Sequence, residues 1–73
     1  MFALAEHGDA DLSIYAVDGR RVRTLTRGPR DPGTYRITWR GDDDAGREAA
    51  PGVYWARLNV SGRTWNRRLV FLR

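Results

Sequence analysis

Apolar residues recur at every second position in three stretches: Leu12, Ile14 and Ala16; Tyr35, Ile37 and Trp39; and Tyr54, Ala56, Leu58 and Val60. A period of two places each set on one side of an extended chain, so each stretch is predicted to be a strand with one buried face. These three sets are the predicted core. Glycine and proline at 8, 19, 28, 29, 32, 33, 41, 46, 51, 52 and 62 leave no uninterrupted run longer than 11 residues, which leaves no room for helices of ordinary length. The surviving runs, 1–7, 9–18, 20–27, 34–40, 53–61 and 63–73, are of strand length and carry β-branched or aromatic residues, predicting six strands and no helix. In the last run, Trp65, Arg67, Leu69 and Phe71 share one face and Asn66, Arg68, Val70 and Leu72 the other. The pattern leaves the inward face open, with a preference for Leu69 and Phe71 because Trp65 lengthens that apolar stripe.

Turn chemistry sets neighbours. Asp18-Gly19 between two apolar runs is a strong two-residue hairpin signal, with positive φ expected at both residues. It pairs 10–17 with 20–26. Ser61-Gly62 is a weaker version of the same signal and pairs 53–60 with 63–72, so that residues summing to about 123 face each other. The loop 27–33 contains two prolines without amide donors and is expected to arch between sheets without pairing. The loop 41–52 is the longest break and the only acidic one. Together these features predict an all-β chain: a small immunoglobulin-like antiparallel sandwich of about six strands. With 73 residues, the chain is expected to be one domain, 1–73, with a single small core.

Composition narrows the chemistry. There are no cysteines, so disulfides and thiolate metal sites are excluded, and the lone His7 is expected to be a solvated loop residue. No run is apolar enough for a membrane-spanning helix, and no signal-peptide pattern is present in these residues. All 13 basic residues are arginine. Acids cluster in residues 1–19 and 41–51, while arginines fill 20–40 and 52–73; Arg20, Arg21, Arg23, Arg36, Arg40, Arg57, Arg63, Arg67 and Arg68 fall in predicted strands. An arginine-lined sheet face suits phosphate or an acidic partner, while the plainer expectation is a solvated surface.

Candidate catalytic groups are sparse. Ser13 and Ser61 do not sit in a nucleophile elbow, and the acids are not disposed across a cleft as glycoside cleavage requires. No enzymatic activity and no cofactor are therefore expected. Asp42, Asp44 and Glu48 have the alternate oxygen spacing of a calcium loop, but Pro51 and Gly52 stand where the closing bidentate glutamate belongs. The competing expectation is that Asp43 or Asp44 caps the turn by accepting backbone amides. Trp39 is the predicted aromatic anchor of the core. Trp55 and Trp65, with Arg57, Arg67, Arg68 and Arg73, are candidate interaction residues, either as arginine stacked on tryptophan within one outer face or as a platform for bases or sugars.

Four segments in order carry a family resemblance. They are Leu12-Ser13-Ile14-Tyr15-Ala16-Val17-Asp18-Gly19-Arg20-Arg21-Val22-Arg23-Thr24-Leu25, Gly33-Thr34-Tyr35-Arg36-Ile37-Thr38-Trp39-Arg40-Gly41, Asp43-Asp44-Ala45-Gly46-Arg47 with Pro51-Gly52-Val53-Tyr54, and the closing Arg68-Leu69-Val70-Phe71-Leu72-Arg73. Over about residues 10–73 the chain resembles the immunoglobulin-like domain of the flagellar hook-capping protein family. It is also similar to the carboxy-terminal sorting domains of type IX secretion cargo. Ala16 and Arg40 stand where that family usually has aspartate, and its first strand is reduced here to Met1-Phe2-Ala3-Leu4-Ala5.

The resemblance implies structural roles for Ile14, Gly19, Leu25, Ile37, Trp39, Gly41, Gly46, Gly52, Tyr54 and Leu58. It also implies a non-catalytic structural, sorting or interaction module, usually the last part of a secreted or surface-attached bacterial protein. A protein partner or the secretion machinery is then the expected contact, and nucleic acid is disfavoured. The alternative class is a small binding module whose arginine and tryptophan face holds polysaccharide or nucleic acid. Salt separates the two, because phosphate binding weakens steeply with ionic strength through counterion release.

Overall fold

Two antiparallel hairpins make the main sheet of the computed structural model, which describes the backbone of residues 2–4 and all of residues 7–72. The first joins β2 (Gly8–Ala16) to β3 (Arg21–Arg30), and the second joins β5 (Gly52–Val60) to β6 (Arg63–Phe71). β2 pairs antiparallel with β5, giving a four-stranded sheet of order β3-β2-β5-β6. A separate two-stranded ribbon pairs β1 (Phe2–Leu4) with β4 (Gly33–Tyr35). Every pairing is antiparallel, and no helix occurs among the described residues.

Register explains which side is apolar. Leu12 faces Leu58, Ile14 faces Ala56 and Ala16 faces Tyr54, while Tyr54 in turn faces Leu69. Residues paired across neighbouring strands share a face, so two of the predicted apolar sets merge into one surface. Leu69 and Phe71 pack against the core on that side, whereas Val70 and Leu72 are exposed. Ile14, Val22, Ala49 and Tyr54 form the buried centre, with Leu25, Trp39, Ala56 and Phe71 around it.

Val22 and Leu25 are three apart, and in a regular strand they would point to opposite faces. Two register shifts resolve this: the pairing passes from Leu12↔Thr26 to Ser13↔Thr24, skipping Leu25, and from Ile14↔Arg23 to Tyr15↔Arg21, skipping Val22. Each skipped residue is a β-bulge, which re-aims its side chain and bends the strand. Both residues thereby reach the same core.

Four expectations are corrected. The run 34–40 is a strand only through Tyr35; residues 36–40 have no ladder partner, though Tyr35, Ile37 and Trp39 still alternate as the less exposed positions. β1 and β4 are three residues each, so the architecture is a four-stranded sheet with a short ribbon rather than six comparable strands. The segment expected not to pair does pair, with Arg27, Gly28, Pro29 and Arg30 opposite Asp11, Ala10, Asp9 and Gly8. β3 is an edge strand and proline is tolerated there, because half of an edge strand's amides have no ladder partner in any case.

The fourth correction is the Asp18-Gly19 turn. Gly19 has φ +88° but Asp18 does not have positive φ, and Gly19 N–H donates to Ala16 O at 3.0 Å while Ala16 N–H donates to Arg20 O at 2.9 Å. This is a three-residue loop, a type I turn closed by a left-handed glycine, with the Asp18 carboxylate accepting from Arg20 N–H at 3.0 Å. The two-residue turn with positive φ at both positions occurs instead at Ser61-Gly62, with φ +50° and +83° between the paired Val60 and Arg63.

Candidate functional site

The acidic loop is bound to the sheet edge. Ala49 N–H donates to Gly41 O at 2.8 Å and Asp43 N–H to Arg47 O at 2.9 Å, so residues 41–49 fold back on themselves, with Asp42 and Glu48 bridged. The Asp43 carboxylate accepts from Ala45 N–H at 3.0 Å and Arg47 N–H at 2.8 Å. Asp44 reaches β3: its Oδ1 accepts from Thr24 N–H at 2.9 Å and its own N–H donates to Val22 O at 3.0 Å. Arg23 answers from the strand, donating to Asp43 O at 3.0 Å and lying 3.4 Å from Asp42 Oδ2. The carboxylates of Asp42, Asp43 and Asp44 thus all have protein partners, and among the described residues no three metal-ligating groups converge.

On the side of the sheet away from the core lie Asp11, Ser13 and Tyr15 of β2, Trp55, Arg57 and Asn59 of β5, and Thr64, Asn66 and Arg68 of β6. The Arg57 guanidinium stands 4.7 Å from the centre of the Tyr15 ring, a cation–π contact, and its Nε donates to Asn66 at 3.2 Å. Asn59 donates to Thr64 at 3.1 Å, and Arg27 pairs with Asp11 at 3.1 Å. Trp55 faces Arg68, as the register through Ser61-Gly62 requires. A shallow polar hollow of about 680 Å³ opens beside Asp11, Tyr15, Arg57 and Asn59.

Trp65 and Arg67 are not part of that surface. They sit opposite Leu58 and Ala56, on the same side as the core, and line an open apolar groove of about 810 Å³ with Leu12, Leu25, Ile37 and Phe71. The single arginine and tryptophan platform expected from the sequence is therefore divided between two faces, and the stacked aromatic ring is Tyr15 rather than a tryptophan. Tyr15 was missed as a surface residue because only the β2–β5 pairing sets it beside Arg57, and no local turn signals that pairing.

Trp39 crosses the inner face on the unpaired segment, with its ring 4.9 Å from that of Tyr54 and 5.2 Å from that of Phe71, and its Nε1 donates to Asp42 O at 2.8 Å. Ser13 is buried and donates to Asp11 at 2.8 Å; Ser61 lies in the hairpin turn, and His7 is exposed. Arg73 lies outside the described residues.

A protein-family model described as the FlgD Ig-like domain matches residues 2–63. The chain belongs to that family. No curated protein and no solved structure matches it. FlgD Ig-like domains are in general non-enzymatic structural modules, in keeping with an all-β chain whose acidic loop is spent on holding an edge strand. The match spans β1 to β5 and the Ser61-Gly62 turn, and nearly all of β6 lies beyond it. The likeness to type IX sorting domains is carried by none of the comparisons.

Proposed function

We propose that this FlgD Ig-like chain serves as a non-catalytic structural and interaction module of a secreted or surface-attached bacterial protein, in contact with a protein partner or the export machinery. One observation carries the reading: the loop with the chain's densest acids turns its carboxylates to backbone amides and to Arg23, so its chemistry closes an edge strand instead of facing a substrate. Family membership supports the same conclusion. In this reading the open inner face is one layer of an immunoglobulin-like sandwich, and the β1–β4 ribbon with the segment 36–40 forms the second.

The test is made in the parent protein. Removing residues 8–72 should leave any chemical activity of the rest of the parent intact in solution and abolish its retention or delivery at the cell surface. Unchanged surface retention would overturn the proposal, as would loss of a chemical step that a folded but unrelated domain of similar size fails to restore.

A second reading rests on the outer face, where the Tyr15–Arg57 pair and Asn59 line a hollow suited to a sugar ring and Trp55 stands beside Tyr15 on the neighbouring strand. Binding of a soluble polysaccharide that survives high salt and is lost in Trp55→Ala would favour it. Binding that collapses with salt would point to phosphate instead.

A further inference from the structure

The two edges of the sheet are unlike. β3 is interrupted by two bulges, carries Pro29, and has the Thr24 amide and the Val22 carbonyl already engaged by Asp44. Another strand cannot add there without displacing the loop. β6 pairs with β5 over nine consecutive residues with no register shift, and among the described residues no strand lies on its other side. It is a long, regular, open edge.

Its side chains specify what fits. On the inner side β6 presents Arg63, Trp65 and Arg67, and on the outer side Asn66 and Arg68; all five are exposed. None of the three arginines makes an ion pair among the described residues, while Arg23, Arg27 and Arg47 all do. Trp65 is 51% exposed at the mouth of the apolar groove. A second copy of this chain is a poor occupant, because pairing two β6 strands about their centre sets Arg67 against Arg67, and like charges directly opposite are destabilising. Charge complementarity calls for acid.

We propose that the free edge of β6 is a docking site for an extended acidic segment of a partner protein, added as a fifth strand of the sheet. This rests on the reading of the chain as an interaction module. The added strand hydrogen-bonds to the outward amides and carbonyls of β6, places carboxylates against Arg67 and Arg68 on its two faces, and lays an apolar residue over Trp65. The same arginines keep the edge from pairing with itself.

The probe is a synthetic peptide of valine and aspartate titrated into the full chain, with two adjacent aspartates that fall on opposite faces against Arg67 and Arg68, and with valine two positions beyond the aspartate facing Arg67, over Trp65. Saturable binding is expected, with hydrogen exchange slowed at those β6 amides that point away from β5 and with Trp65 fluorescence altered. A valine and lysine counterpart, and a valine and aspartate peptide interrupted by prolines, should not bind. Joint Arg63→Ser, Arg67→Ser and Arg68→Ser substitution should weaken binding about tenfold, as the loss of a few cross-strand charge pairs implies. Thermal melting checks that this variant folds, and the exchange map on the unmutated chain stands independently of it. No saturable binding, protection at β3 or on the outer face instead, or equal binding of the proline-interrupted peptide would each overturn the proposal. If the parent still loses surface retention without residues 8–72 while the peptide fails to bind, the module reading stands and the β6 site falls.

Discussion

Gly41 lies against the far edge of the Phe71 ring, so close that a Cβ at this position would overlap it, and its φ of +77° is one that side chains rarely adopt. This contact fastens the start of the acidic loop to the end of β6. Gly41→Ala is expected to cost about 1–2 kcal/mol in backbone strain and about 1–3 kcal/mol in overpacking. That is a large share of the stability of so small a chain. Chemical denaturation of Gly41→Ala, Phe71→Ala and the double variant checks it: the double should cost less than the two singles together, since removing the ring relieves the overlap. Strict additivity would mean the ring is not the obstacle.

Trp39 has no strand neighbour, so its position depends on its rings and its one hydrogen bond. Trp39→Phe keeps the contacts with Tyr54 and Phe71 but leaves Asp42 O without its indole donor, and should cost about 1 kcal/mol. Trp39→Ala removes both and should cost about 3 kcal/mol. Urea midpoints followed by circular dichroism distinguish the two; equal losses would show that the hydrogen bond, not the ring, is what matters.

Asp44 caps the exposed edge of β3. Asp44→Ala should lower stability by about 1 kcal/mol through the lost Thr24 amide partner. It should also raise self-association, because the edge it covers becomes available for pairing. Asp44→Asn keeps an acceptor and should show less of both effects. Melting curves and light scattering at several concentrations provide the measurement, and a destabilised but strictly monomeric Asp44→Ala would argue against the edge-guarding role.

The two hairpin turns respond differently to the same kind of change. Gly19→Val should cost about 1–2 kcal/mol because only Gly19 is left-handed in its turn. Asp18→Gly should also destabilise, losing the Arg20 amide contact and adding unfolded-state entropy. Were the turn of the two-residue type, Asp18→Gly would instead stabilise. Ser61→Asn, at a position that is left-handed, should be neutral or raise the melting temperature slightly.

What could be read along the chain was local. Alternation assigned Ile14, Ala56 and Leu58 to one face, and Ser61-Gly62 fixed the register that sets Trp55 opposite Arg68 and Arg57 opposite Asn66, because a two-residue turn leaves its flanking residues no other pairing. Four relationships were decided only by tertiary structure. The β2–β5 pairing joins residues about 40 to 50 positions apart with no turn to announce it, and it alone brings Tyr15 to Arg57. The bulges that turn both Val22 and Leu25 inward break the period of two from which sequence patterns are read. Pro29 sits in a strand because β3 is an edge, a property of strand order that the residues around Pro29 do not encode. Which of the two tryptophan-bearing faces of the β5–β6 hairpin turns inward was settled by β2, which sets Ile14 opposite Ala56 and so buries the side that carries Trp65.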